Sequence, residues 1–313
     1  MPHGLHADMW MFEYRYMRMF MSGMLRGKDK IDPLSVLHNP EFTKLPFPAS
    51  ADCKTATDPC LLTNVGDKMT MDMHMFMAMY HQTRDLSWMV MFNYLSNNMD
   101  MLQQMNSGMP VTTSQMGSSG IGDVQLFVTN RLRETDWFDI DLTLGINLPL
   151  GTIDAKNGMP MMGTEGIARY DMQMGSGTYD VITALNFTGA YYRLEYDFEI
   201  YKNSRTGFNT QYYNMGDILR LKASGKYTFP IGTQIRTGLT ETITAPVEGR
   251  DERHGYNPRY TGGKRLDLVV GLGQRYKDYG VYMDYAYPLL QFLNGVQMKT
   301  TGTLTFGLEY MYM

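Results

Sequence analysis

The residues of this chain best equipped for chemistry come in rows, one at every second position. "FEYRY" sets Glu13 and Arg15 against Phe12, Tyr14 and Tyr16. "FDIDL" sets Asp139 and Asp141 against Ile140 and Leu142, and "RLEYDFEI" sets Arg193, Glu195, Asp197 and Glu199 against Leu194, Tyr196, Phe198 and Ile200. The same side of the pattern carries Arg220, Lys222, Arg236, Arg265, Asp267, Arg275, Asp284 and Glu309. Alternate residues share a face only in an extended strand. Interleaved acids and bases on one such face can set a transverse field across a water-filled passage. They can equally pair off and knit a narrow interior shut. Neither use is catalytic. The six histidines, at 3, 6, 38, 74, 81 and 254, show no arrangement with a serine nucleophile, so no catalytic residue is assigned and the chain is not read as an enzyme.

Methionine supplies a second kind of chemistry. There are 30 in 313 residues, and "MTMDMHMFMAMY" places one at six consecutive odd positions from Met69 to Met79. A thioether is a flexible apolar filler or a soft ligand suited to Cu(I). If Lys68, Asp72 and His74 face the lumen, the methionines face lipid. If the row faces inward, it joins the methionines of neighbouring strands in a thioether-rich patch. The cost of a few kcal/mol for a carboxylate in lipid favours the first choice, so the row is expected to meet lipid. "MPHGLHADM" resembles an amino-terminal copper site, but Pro2 lacks the amide N–H that such sites use. His3, His6, Met9, Met11 and His74 remain loose candidates for copper; no other cofactor is implied. Cys53 and Cys60 in "DCKTATDPC" lack the further ligands of a zinc site, and their spacing predicts a disulfide closing a small loop.

The elements that must position these rows are strands. Nothing with comparable strength has helical period. We read strands near 8–22, 67–80, 86–101, 119–132, 136–150, 174–188, 190–202, 214–229, 232–245, 264–276, 279–288 and 299–312. The links "HQTRD", "RET", "G", "PI" and "KD" are tight, and the others are long and polar, residues 23–66 being the longest. Sorting short turns to one side and long loops to the other is the pattern of a transmembrane barrel. The expected fold is therefore all-β: a closed antiparallel transmembrane β-barrel of about 12 strands, one domain over 1–313, with short periplasmic turns and long extracellular loops. Composition agrees. No apolar run of about 18 residues offers a transmembrane helix, and a net charge of −4 gives no nucleic-acid signature. The first residues lack the basic start and apolar stretch of a secretory signal, which leaves an internal protein or a processed one; the strand pattern selects the latter. The 22 tyrosines suit girdles at the two membrane interfaces.

The ordered segments "WMFEYRYMRM", "MTMDMHMFMAMY", "SGIGDVQL", "INLPLGTID", "MQMGSGTYD" and "GGKRLDLVVGLG" resemble the bacterial outer-membrane transporter family named for the meta-cleavage pathway of phenol degradation. The likeness runs from about residue 9 to the C-terminus. It implies an outer-membrane barrel that passes small molecules, with no catalytic residues to carry over. The glycines of "SGIGDVQL" and "MGSGTYD" are given no ligand role. One departure is the ending "EYMYM", where many such barrels end on an aromatic residue. The expected function is passive passage of small solutes through a charged lumen in the outer membrane of a Gram-negative bacterium, with residues 23–66 folding inward or over the mouth. The lipid bilayer and small solutes are the expected partners, and a homo-oligomer is compatible with the sequence. The alternative is a structural or partner-anchoring barrel with a plugged lumen, able to hold copper through Met and His.

Overall fold

The computed structural model describes residues 7–37, 64–104, 109–135, 137–156, 167–249 and 260–312. Along the chain, β1 (Met9–Gly27) is followed by β2 (Asp29–Ile31) and a helical turn, α1 (Pro33–Val36). Then come β3 (Asn64–His81), β4 (Leu86–Gln103), β5 (Thr112–Ile121), β6 (Val124–Glu134) and β7 (Asp139–Leu148). After a 3-10 turn at Tyr170–Met172 follow β8 (Asp180–Tyr191), β9 (Leu194–Arg205) and β10 (Tyr213–Asn214). The chain continues through β11 (Ile218–Thr228), β12 (Thr233–Thr244), β13 (Glu248–Gly249), β14 (Gly263–Tyr276) and β15 (Tyr279–Tyr312).

Successive strands pair in a ring, β15-β14-β12-β11-β9-β8-β7-β6-β4-β3-β1, which the β15–β1 pairing closes. Every pairing in it is antiparallel. A closed ring of strictly alternating directions needs an even number of strands, and these are eleven. The 34-residue run of β15 resolves the parity by doubling back. Its first part pairs with β14 from Tyr279 to Leu293, and its second pairs with β1 up to Tyr312. The two halves meet: Gln291 donates its side-chain amide to the Thr300 carbonyl at 2.7 Å, and the Tyr279 and Tyr310 rings stack 4.9 Å apart. The barrel therefore has twelve crossing segments, as the sequence pattern predicts. Where a loop was expected between 288 and 299, both arms run as strand to a turn at Gly295, whose φ is +70°.

One rim holds the tight links. Tyr192 and Lys277 sit at positive φ (54° and 52°) in the two-residue turns that join β8 to β9 and β14 to β15, the geometry a twisted hairpin selects. Arg193, expected on the inner face, is an exposed residue of the first of these turns; the turn takes it out of the strand alternation. The opposite rim is uneven. β1, β3 and β4 run 18 or 19 residues, nearly twice the 9–11 or so that cross a bilayer, whereas β7 stops after 10. The segment 23–66 was expected to be loop, yet its start is wall: β1 continues to Gly27 and β2 folds back on it. Val36 and Leu37 then pack on Val65. Cys53 and Cys60 lie outside the described residues, as do His3 and His6.

Alternation divides the wall as expected on most strands. Outward-pointing Phe12, Phe92, Leu144, Phe198, Leu239, Val270 and Leu308 are all well exposed, forming the continuous apolar belt that acyl chains solvate. Exposed aromatics mark the short-turn rim, among them Trp10, Trp88, Trp137, Tyr192, Tyr227, Tyr276 and Tyr312. On β3 the expectation is reversed. Phe76 is 53% exposed and lies on the outer face, whereas Met69 and Met75 are buried. Asp72 and His74 share the outer face, and the methionine row points inward. The register explains it, because directly opposed residues share a side and Met17 opposes Met73, as Met19 opposes Met71. Asp72 survives outside because it is not alone. Arg18 donates to it at 2.6 and 2.9 Å and the Tyr16 hydroxyl at 2.5 Å. Tyr14 shares a 2.8 Å hydrogen bond with His74 beside them. At roughly 2.5 Å of axial rise per tilted residue, Arg18 stands about 20 Å above the Trp10 rim, near the outer edge of the belt.

Candidate functional site

The inner face carries charge from the short-turn rim up to Arg220 and Arg265 near the long-loop ends of β11 and β14, and its charges are held to the wall. Glu13 accepts from Arg15 at 2.7 and 2.9 Å and from the Tyr282 hydroxyl at 2.5 Å. The Arg236 guanidinium lies over the Tyr282 ring, 4.3 Å from its centre, and pairs with Asp284 at 3.5 Å. Arg275 pairs with Glu309 at 3.6 Å, and Arg265 with Asp267 at 2.8 Å. Across the lumen, Arg131 binds Asp139 and Asp141 at 3.3 and 3.0 Å. Lys222 reaches Asp197 at 2.9 Å, and Lys226 reaches Glu195 at 2.7 Å. Arg220 lies over the Tyr201 ring at 5.0 Å, and Glu199 faces Lys222 in the register. Among the described residues, every inner-face ion pair joins groups on one strand or on segments at most two places apart around the ring. None spans the barrel.

The inner faces of β1, β3 and β4 are mostly methionine, interrupted by Glu13 and Arg15 on β1 and by Asn93, Leu95 and Asn97 on β4. Opposed pairs climb them, from Met11–Met79 and Met79–Met89 near the short-turn rim, through Met77–Met91, to Met21–Met69 and Met69–Met99. Met116 of β5 continues the top row beside Met99.

What crosses the lumen is a strap that the sequence reading did not single out. Between β7 and β8 the chain turns inward, and Met172 is completely buried against Met69, Met99, Met101 and Met116. The Met172 carbonyl accepts from Ser118 at 2.6 Å and from Asn97 at 3.5 Å, both on the inner wall. Two residues away, the Tyr170 ring lies against Tyr213, tilted by 54° with centres 5.4 Å apart, and packs on Val247. The strap thus runs from the β4–β5 wall to the loops that follow β9 and β12, where β10 and β13 pair.

A buried clasp fixes it. Asp123 occupies the break between β5 and β6. Its Oδ1 accepts from the Gly151 amide at 3.0 Å. Its Oδ2 accepts from the Ser176 amide, the Ser176 hydroxyl and Asn147 Nδ2, each at 2.8 Å. Asp180 backs this group, taking Thr178 at 2.7 Å, Asn147 at 3.0 Å and an ion pair from Arg205. Gly151 and Gly175 touch back to back: a Cβ on Gly175 would fall 2.5 Å from Asp123 Oδ1 and 2.6 Å from the Gly151 carbonyl. "SGIGDVQL", "INLPLGTID" and "MQMGSGTYD", distant in sequence, therefore meet in one network. Their shared glycines and acids hold a strap.

Such a barrel, closed by antiparallel pairing and greasy outside, has the fold of solved bacterial outer-membrane channels. A solved outer membrane channel from Pseudomonas putida F1 matches it with a TM-score of 0.62 over 98% of this chain and 97% of its own, at 11% identity. NanC porin (TM-score 0.45, 10% identity, 77% of this chain and 93% of its own) is a more distant likeness. So is a TodX monoaromatic hydrocarbon channel (0.45, 8%, 98% and 91%). At these identities the likeness is one of fold. No protein-family model and no curated sequence matches the chain.

Proposed function

We propose that this protein is an outer-membrane channel through which small solutes pass by diffusion, screened by a charged lumen and narrowed by the strap at its outer half. The motif resemblance supports reading it with the transporters named for the meta-cleavage pathway of phenol degradation. The observation that carries the proposal is the direction of the ion pairs. They run along the wall, so charge is neutralised locally, and among the described residues no ion pair bridges the axis. The Glu195–Asp197–Glu199 row beside Lys226, Lys222 and Arg220 on the next strand then lines one flank with paired charges, which solvate water and polar solutes on their way through. On the opposite flank the methionine wall offers apolar, deformable contact.

Purified full-length protein in a planar lipid bilayer tests this. Discrete conductance steps with a measurable ion selectivity are expected. A silent bilayer holding correctly folded barrels would overturn the channel and favour a plugged, structural barrel.

A further inference from the structure

The top row of the methionine wall has a chemistry that passage of solutes does not use. Met69, Met99 and Met116 are directly opposed on three neighbouring strands, are 5–7% exposed, and are capped by the fully buried Met172 of the strap. Directly opposed residues place their Cβ atoms about 4.5–5.5 Å apart, a spacing from which flexible thioethers converge on one point. Asn97, two residues along β4 from Met99, is fully buried, and its Oδ1 accepts no hydrogen bond. Gly66 on β3 lets two methionines approach the backbone: a Cβ there would sit 2.6 Å from the Met298 methyl and 3.3 Å from Met99 Sδ. Leucine would fill this space as well, so packing alone does not call for four sulfurs and an unsatisfied oxygen.

We infer that Met69, Met99, Met116 and Met172 form a binding site for a soft monovalent cation, Cu(I) or its analogue Ag(I). Thioethers select soft ions. They carry no charge, so they suit a monovalent ion and cannot offset a divalent one. Among the described residues no three His, Cys, Asp or Glu side chains gather to hold a harder metal. Because the strap supplies one ligand, the ion also ties strap to wall.

Ag(I) is the probe, since it needs no reductant. Full-length protein in detergent, in chloride-free buffer, is dialysed against Ag(I) and its bound metal is counted. Wild type is expected to retain tightly bound Ag(I), and M69L/M99L/M116L/M172L to lose one equivalent or bind it at least tenfold more weakly. A control changing the exposed Met109 and Met283 to leucine is expected to keep the wild-type count. Retention of the full count by the quadruple variant, or none by wild type, overturns the site. Should the quadruple variant fail to fold, methyl-labelled methionine NMR on wild type decides. The four named methyl groups must shift on addition of Ag(I), and their failure to move refutes the inference. The readout is binding, so a silent barrel and a metal-free barrel give separate results.

Discussion

Replacing Asp123 by alanine is expected to release the strap without dismantling the wall. Its carboxylate collects four donors, at 2.8, 2.8, 2.8 and 3.0 Å, from Asn147, Ser176 and Gly151. Each hydrogen bond to a charged group contributes about 1.5–3 kcal/mol, but the full sum is not lost. Asn147 and Ser176 already touch Asp180 Oδ2, at 3.0 and 3.2 Å, and would lean on it further. The donors that find no new acceptor, the Gly151 and Ser176 amides first, cost about 1–3 kcal/mol each when left buried and unpaired. Even about 3 kcal/mol multiplies the ratio of released to clasped strap by roughly 150, at about 1.4 kcal/mol per decade. Because Asp123 sits between β5 and β6, outside the ladders, ring closure should persist. The assay pairs single-channel recording with limited proteolysis: larger or longer openings, and faster cleavage within residues 167–179. Asp123→Asn, which keeps the shape but not the charge, should fall between. Folded Asp123→Ala protein with wild-type conductance and wild-type protease resistance would refute the clasp.

Gly175→Ala forces a Cβ to 2.5 Å from Asp123 Oδ1 and should reproduce the Asp123→Ala conductance, with the double variant no more severe; additive effects would show that the two do not share one network. Arg18→Leu leaves Asp72 without its two guanidinium bonds on the outer face. It should cost about 1–3 kcal/mol in thermal unfolding in detergent, and a second change of Asp72 to leucine should restore most of it. Lys222→Glu places an acid beside Asp197, which Lys222 now binds at 2.9 Å. Reversal potentials should then shift toward cations, with at least about a twofold change in permeability ratio at 0.1 M salt, where the Debye length is about 10 Å. An unmoved potential would mean that this row does not border the ion path.

The barrel itself was legible in the sequence because alternation and link length are local signals. Twelve segments, the tight rim and the apolar exterior follow from them. What stayed hidden depends on register and on distant contacts. Nothing local tells whether Asp72 or Met73 points inward; that is decided by Met17 and Arg18 across the ladder, and a lone carboxylate in lipid looked worse than the Arg18–Asp72 pair proves to be. Arg193 was misplaced because a two-residue turn interrupts an otherwise unbroken alternation. The strap was missed for the same kind of reason. Its motifs were visible, yet Asp123 and Ser176 are 53 positions apart, and only the fold shows that they touch.

The wall closes where the first strand meets the last, Trp10 beside Tyr312, a separation of 302 residues. The clasp instead joins partners lying within Asp123 to Arg205, all carried by five consecutive strands. Loop-closure cost rises with length, so a curved, unsealed sheet can already hold its crossbar before the seam is zipped. Nothing has to be threaded into a finished cylinder. Insertion can then proceed with a preassembled interior, leaving only two free edges to be brought together.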